Sequence, residues 1–220
     1  MAPTVIIADD HPLFCEALEM AVQRVRPDAR IVRTTTLKET LEAIGSQHPG
    51  TVFLDLMMPD SRGFAGLLSI RQLRPELPVV VVSASDDPSV TARARAFGAH
   101  GFIPKSAPLA TIREAMAAAM AGQPSWPDGN QAEGAPLNGN SEAVQRLATL
   151  TPAQMRVLMG LSEGLLNKQI AYEMNISEAT VKAHVTAVFR KLHVVNRTQA
   201  VLAAKALDII QPEIDLSGAR

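Results

Sequence analysis

The sequence predicts an α/β domain built on a five-stranded parallel sheet, followed by a smaller all-helical domain. Three observations lead there. Over residues 1–121, short apolar runs alternate five times with segments whose apolar residues recur at helical spacing. Residues 123–145, QPSWPDGNQAEGAPLNGNSEAVQ, concentrate Pro, Gly, Asn and Ser and break both periods. Beyond them the pattern is helical only, and charge changes: residues 151–208 carry 7 Lys/Arg against 4 Asp/Glu, whereas residues 1–121 carry 12 against 13. The expected organisation is a first domain over 1–121, a flexible linker over 122–149, a second domain over 150–210 and a tail over 211–220.

The five strands are expected at residues 5–8, 31–35, 52–54, 79–83 and 101–104. Helices are expected at residues 12–25, 37–44, 64–73, 88–97 and 109–120. Nearly all-apolar strands joined by helices imply a parallel sheet covered on both faces. At 47% apolar and 20% charged, the 220 residues exclude a chain disordered throughout. One cysteine, Cys15, excludes a disulfide scaffold and a cysteine-based zinc site, and fits the reducing cytoplasm. No apolar run approaches the roughly 20 residues of a membrane span, so no membrane role is expected.

Open parallel sheets do their chemistry at the carboxyl ends of the strands. There the first strand ends in Asp9-Asp10, the third in Asp55, the fourth in Ser83-Ala84, and the fifth runs into Lys105. With neighbouring strands ~4.8 Å apart, the acids, hydroxyl and ammonium share one shallow cleft. Carboxylates that close repel and favour a cation. An oxygen-rich site with room for water suits Mg²⁺ and a phosphate. Taken singly, each residue has a plainer use: Asp10 or Asp55 as a capping acid, Lys105 as a solvated charge. Their occurrence at successive strand ends favours a site.

Residues 4–121 resemble the receiver domain of bacterial two-component response regulators, through IIADDH, VFLDLMMPD, VVVVSAS and GAHGFIPKS. The resemblance implies a flavodoxin-like fold with strand order 2-1-3-4-5. It implies that Asp55 accepts a phosphoryl group from a sensor histidine kinase. Asp10, Asp55 and the backbone carbonyl of Met57 would hold Mg²⁺, with Asp9 acting directly or through water. Ser83 would bind a phosphoryl oxygen and Lys105 would pair with the phosphoryl group. Phe102 falls where the family has an aromatic switch that turns inward; an aromatic in the fifth strand is equally placed to be plain core.

In the second domain Thr151, Pro152 and Gln154 form a helix start. A short helix follows over 167–174. Asn175, tolerant of left-handed backbone, then allows a tight turn into Ser177, the N-cap of a helix running to about Leu192. A fourth helix spans about 197–207. In the third of these helices Val181, Val185, Val188 and Leu192 form one stripe, and Lys182, Ala183, Thr186, Arg190 and His193 a separate basic one. No acid occurs over residues 179–207. Such a helix fits the DNA major groove, with Ala183 permitting close approach and Lys182 and Thr186 reaching base edges. Lys168, Arg190, Lys191, Arg197, Asn196, Ser177 and Thr180 suit phosphates.

Residues 150–201 are similar to the LuxR-type helix-turn-helix, through Asn167-Lys168, Ile176-Ser177, Thr180-Val181-Lys182, Lys191-Leu192 and Asn196-Arg197 among others. The pattern departs from the family at Ala153-Gln154, where an Arg-Glu pair is usual, at Leu166, where a Ser commonly stands, and at Thr186, where some members carry Lys. A receiver fused to this four-helix module resembles the NarL/FixJ class. The class implies a cytoplasmic transcription regulator, not an enzyme. Its implied partners are a histidine kinase, double-stranded DNA, a second copy in the active dimer, and RNA polymerase. Two other readings rest on the same residues: a Mg²⁺-dependent aspartyl-phosphate enzyme, and a receiver whose helical part binds protein.

Overall fold

The computed structural model describes residues 2–127 and 141–205. Five strands form one all-parallel sheet: β1 (Thr4–Ala8), β2 (Arg30–Thr34), β3 (Thr51–Asp55), β6 (Val79–Ser83) and β7 (Gly101–Pro104), ordered β2-β1-β3-β6-β7. This is the expected order. Alternate residues of each strand serve opposite layers, because side chains alternate across a sheet. Ile6, Val52, Leu54, Val79, Val81 and Phe102 face one core. That layer includes α2 (Leu37–Gln47), α3 (Ala65–Leu73) and α4 (Pro88–Ala96). Val5, Ile7, Phe53, Val80, Val82 and Ile103 face the other, under α1 (Pro12–Val25) and α5 (Leu109–Met120).

Local chemistry sets the helix starts. Pro12 and Pro88 open α1 and α4, where a missing N–H costs nothing. Asp87 Oδ1 accepts from Ser89 N–H at 2.7 Å, and Thr36 Oγ1 from Glu39 N–H at 3.2 Å. Helix α2 has a second cap supplied from afar. Between β3 and α3 lies a ribbon absent from the sequence-based expectation, β4 (Met57–Met58) paired antiparallel with β5 (Ser61–Arg62). At its turn, Asp60 accepts from Leu37 N–H at 2.6 Å and Lys38 N–H at 2.9 Å.

The expected flexible linker over 122–149 needs correction at both ends. At its start, Ser125 pairs with Gly101 beside the sheet edge. At its end, Ser141–Ala148 form α6, with Leu147 fully buried. Two turns of helix are marginal alone, so the pattern of those eight residues carries little signal until Leu147 meets its core partners. The middle of the linker and the tail over 211–220 lie outside the described residues.

The second domain holds α7 (Pro152–Ser162), α8 (Asn167–Met174), α9 (Glu178–Leu192) and α10 (Arg197–Ala204). The Thr151–Gln154 capping box forms as expected. Asn175 adopts φ 54 and ψ 46, and Ser177 Oγ accepts from Thr180 N–H at 3.1 Å, giving the tight turn between α8 and α9. Helix α7 packs on α3 of the first domain, and Gln72 Nε2 donates to the Leu150 carbonyl. A cleft of about 420 Å³ remains between them, lined by Asp60, Arg62 and Ser69 on one side and Arg156, Met159 and Glu173 on the other. Among the described residues no helix is long and apolar enough to cross a membrane.

Asp60→Ala removes both distal acceptors from the start of α2 and is expected to cost ~0.5–2 kcal/mol of stability. Urea unfolding checks this; an unchanged midpoint would show that Thr36 caps α2 unaided.

Candidate functional site

The carboxyl ends of β1, β3, β6 and β7 bring the acids, Ser83 and Lys105 together as expected. Asp9 and Asp55 are 1% and 4% exposed, and Asp10 is partly open. Lys105 Nζ lies 2.7 Å from Asp9 Oδ2 and 2.8 Å from Asp55 Oδ2. It also sits 4.9 Å from the centre of the Phe14 ring, a cation–π arrangement. Cys15 donates its S–H to the Asp9 carbonyl at 3.2 Å, tying α1 to the end of β1. Burial, then the negative charge of Asp9, pushes the Cys15 thiol above its ordinary pKa.

Burial raises the Asp55 carboxyl above its usual range; the hydrogen bond and charge of Lys105 oppose this without cancelling it. For Lys105, burial is the largest single influence and lowers its pKa. The combined pull of Asp55 and Asp9 reverses that and leaves the ammonium above its usual value. The site is thus built around a charged lysine between two buried acids.

One residue that pattern reasoning missed enters here. His11 Nδ1 is 2.9 Å from Asp10 Oδ1, 3.1 Å from Asp9 Oδ1 and 3.7 Å from Asp55 Oδ2. Its own N–H donates to Asp9 Oδ1 at 2.8 Å. The DDH triplet was the available signal, but only the turn into α1 swings the ring over the acids. Asp9, Asp10, His11 and Asp55 offer ligand atoms all within 4.8 Å of one another, and Asp9 Oδ2 and Asp10 Oδ1 make no directed hydrogen bond. Beyond their ion-pair contacts with Lys105 and His11, these oxygens keep lone pairs that fit a hard divalent cation. Met57 N–H donates to Asp55 Oδ1 at 3.1 Å, fixing the Met57 backbone at the rim. Ser83 is buried, its hydroxyl accepting from Ser85 N–H at 3.2 Å and its carbonyl from Lys105 N–H at 2.7 Å.

The Phe102 side chain is 2% exposed and packs in the core in this structure.

In the helical domain Val181, Val188 and Leu192 are buried, and Lys182, Ala183, Thr186 and Arg190 exposed, as the helical wheel requires. These exposures hold with both domains present, so the receiver-like domain leaves the basic face of α9 open. Lys182 is 66% exposed and paired with Glu178 one turn earlier at 3.1 Å. Lys168, Ser177, Thr180 and Asn196 are also exposed or at the rim; the last three are engaged in helix starts.

Two expected phosphate contacts are used internally instead. Lys191 Nζ donates to the Thr149 carbonyl at 2.7 Å and to Gln154 Oε1 at 2.8 Å. Arg197 donates to the carbonyls of Leu161 and Leu165 at 3.1 and 2.8 Å, closing the end of α7. Both are stapling groups: unpaired carbonyls at helix ends are satisfied by nearby cations. Gln154, read as a chargeless departure, proves suited to its place because it accepts from both Thr151 N–H and Lys191. Leu166 offers no side-chain cap, and Gln169 Oε1 accepts from its N–H at 2.7 Å instead.

The raised pKa of Asp55 has a direct consequence for stability. Between the ordinary and the raised value, folded protein binds the proton more tightly than unfolded chain, so stability falls as pH rises through that window. Asp55→Asn carries no such burden. It is expected to melt higher than the native protein at neutral pH, with the difference closing as pH falls through the carboxylate range. A variant that melts lower at neutral pH would show that the Lys105 attraction outweighs burial.

Comparison with known proteins agrees with the two-domain layout. Residues 5–117 match the response regulator receiver domain, and residues 148–204 the bacterial regulatory proteins of the luxR family. The glycerol metabolism activator of Pseudomonas putida is 40% identical over 217 residues, covering 93% of this chain and 96% of that protein. The nitrate/nitrite response regulator NarL of Escherichia coli K12 is 28% identical over 202 residues, covering 90% and 93%. RcsB from Salmonella enterica serovar Typhimurium, solved bound to a promoter in the presence of the phosphomimetic BeF3−, shares the fold. Its TM-score is 0.52 at 20% identity, over 94% of this chain and 99% of that one. The chain belongs to the NarL/FixJ-type response regulators, phosphorylation-controlled transcription regulators that join a receiver domain to a LuxR-type DNA-binding domain.

Proposed function

We propose that Asp55 is the phosphoryl acceptor and that α9 is the helix that enters the DNA major groove. The observation that carries this is the convergence of Asp9, Asp10, Asp55 and Lys105 at the sheet mouth in a chain that also exposes a basic helix. A carboxylate oxygen of Asp55 attacks phosphorus of a phosphohistidine on the sensor kinase. A phosphorus–oxygen bond forms, the phosphorus–nitrogen bond breaks, and its electron pair leaves with the imidazole. Such a transfer depends on alignment and on neutralising spreading negative charge.

Mg²⁺ held by Asp10, Asp55 and the Met57 carbonyl, with Asp9 direct or through water, would supply part of that neutralisation. Lys105 supplies the remainder, exchanging its place between two carboxylates for one beside the phosphoryl oxygens. The Ser83 hydroxyl, which accepts from Ser85 N–H, would donate to a further phosphoryl oxygen. The protein acts in the cytoplasm, and its closed set of short loops around the acids suits a regulator better than an enzyme with a substrate pocket.

On DNA, Lys182 and Thr186 reach bases, Ala183 allows the approach, and Arg190 and Lys168 meet phosphates. With Lys191 and Arg197 turned inward, the phosphate contacts are fewer than the basic count of the domain suggests. A homodimer on two half-sites about one helical turn apart completes the reading, with RNA polymerase its downstream partner.

Incubation with a small-molecule phosphodonor and Mg²⁺ is expected to label the native chain and leave Asp55→Asn unlabelled. Label of equal intensity on the variant overturns the assignment. Lys182→Ala is expected to weaken specific DNA binding by ~1–3 kcal/mol, read by fluorescence anisotropy. Arg190→Ala is expected to flatten the slope of log K against log salt by about one contact, whereas Lys191→Ala leaves that slope unchanged. A slope that drops for Lys191→Ala would return that residue to the DNA.

A further inference from the structure

After α5 the chain does not leave the receiver. Gly122, at φ 75, reverses it, and Gln123 N–H returns to the Ala118 carbonyl at 2.9 Å. Ser125 then lies beside the edge strand β7. Its carbonyl accepts from Phe102 N–H at 2.8 Å, and it bridges Gly101 in parallel sense. The fit is close: a Cβ on Gly101 would stand 2.5 Å from the Ser125 oxygen. One residue on, the Trp126 ring takes the Arg95 guanidinium of α4 at 4.1 Å and packs against the core on that side. Residues 123–126 therefore form a short strap gripping two elements, β7 by hydrogen bonding and α4 through Arg95.

Those two elements are continuous with the phosphoryl-binding residues. Helix α4 follows Ser83 after the four-residue loop 84–87, and β7 runs directly into Lys105. In register, Ser83 stands opposite Pro104, and Val81 opposite Phe102. With the Phe102 ring already inside, its backbone N–H is the outward-facing group that links the site's strand to the strap.

We infer that the strap reports the state of the acid site: when Ser83 and Lys105 close on an anion at Asp55, α4 and β7 shift relative to each other and residues 123–126 detach. This rests on the assignment of Asp55 as acceptor. Detachment has two effects. It uncovers the edge of β7, and it lengthens the connection to the DNA-binding domain by four residues, about 13 Å at ~3.3 Å each. A longer tether lowers the effective concentration of one domain at the other. The interface of α7 with α3, which includes an open cleft, would then separate more readily and leave the basic domain free to pair on DNA.

Trp126 is the protein's one tryptophan, so its emission reads the strap directly in the full chain. Beryllium fluoride with Mg²⁺ serves as the phosphoryl mimic, and ¹⁹F NMR reports its binding independently. A bound fluoride signal accompanied by a red shift of Trp126 emission and increased quenching by iodide, both lost in Asp55→Asn, is the expected result. A bound signal with unaltered emission overturns the strap and leaves the Asp55 assignment standing. No bound signal overturns that assignment and the strap with it. Gly101→Ala is expected to show the red-shifted, iodide-accessible emission without any mimic, because its methyl group and the Ser125 carbonyl cannot share that space. Gly101→Ala with native emission overturns the inference. Should that variant fail to fold, the native chain with the mimic decides.

Discussion

The interaction on which the rest depends is one ammonium shared by two buried carboxylates. Asp9 and Asp55 lie almost without solvent at the ends of adjacent strands, and Lys105 between them offsets their mutual repulsion. The arrangement is balanced rather than tight. Asp55 stays above its ordinary pKa despite Lys105, so its ionised form gains from any further positive charge. His11 leans over the same acids from the start of α1. On the proposed reading the site takes a cation and an anion in turn, and Lys105 changes partners as it does so.

That change has somewhere to go. Lys105 closes β7 and Ser83 closes β6, and the Lys105 N–H to Ser83 carbonyl hydrogen bond joins the two at the site. A parallel sheet transmits such a shift poorly across its width, because its inner strands are hydrogen-bonded on both sides. The edge is different: among the described residues β7 has one sheet neighbour, and its outer edge is bridged by Ser125 of the chain's own strap. The second domain docks elsewhere, on α3, and its DNA-facing residues remain exposed. On the proposed reading, restraint of the domain by its tether and docking surface would give control without masking α9.

Much of this was legible because the chemistry falls at points that sequence patterns mark. An apolar run that ends in Asp-Asp, Asp, Ser or Lys fixes both the strand end and the group placed there, which is why Asp9, Asp10, Asp55, Ser83 and Lys105 were found. Asn175 and Ser177 were legible because a left-handed residue and an N-cap have local causes. What was not legible depends on tertiary neighbours. A helical wheel separates Lys191 from the apolar stripe but does not reveal that α7 presents carbonyl and amide oxygens to it. Arg197 is misread for the same reason. Helix α6 is too short to announce itself, and Phe102 has the same residue type whether its ring begins outside or in. The strap was hidden in a segment whose Pro and Gly content signals absence of structure, although Ser125 and Trp126 are held by a hydrogen bond and a ring contact.

The most direct test of the shared-lysine account is a crystal structure of the full chain grown with Mg²⁺ and beryllium fluoride. The account predicts fluoride on an Asp55 oxygen, metal between Asp10 and Asp55, and Lys105 Nζ moved from Asp9 to the fluoride. Fluoride bound away from Asp55, or a Lys105 that keeps both carboxylates while the mimic is in place, would contradict it.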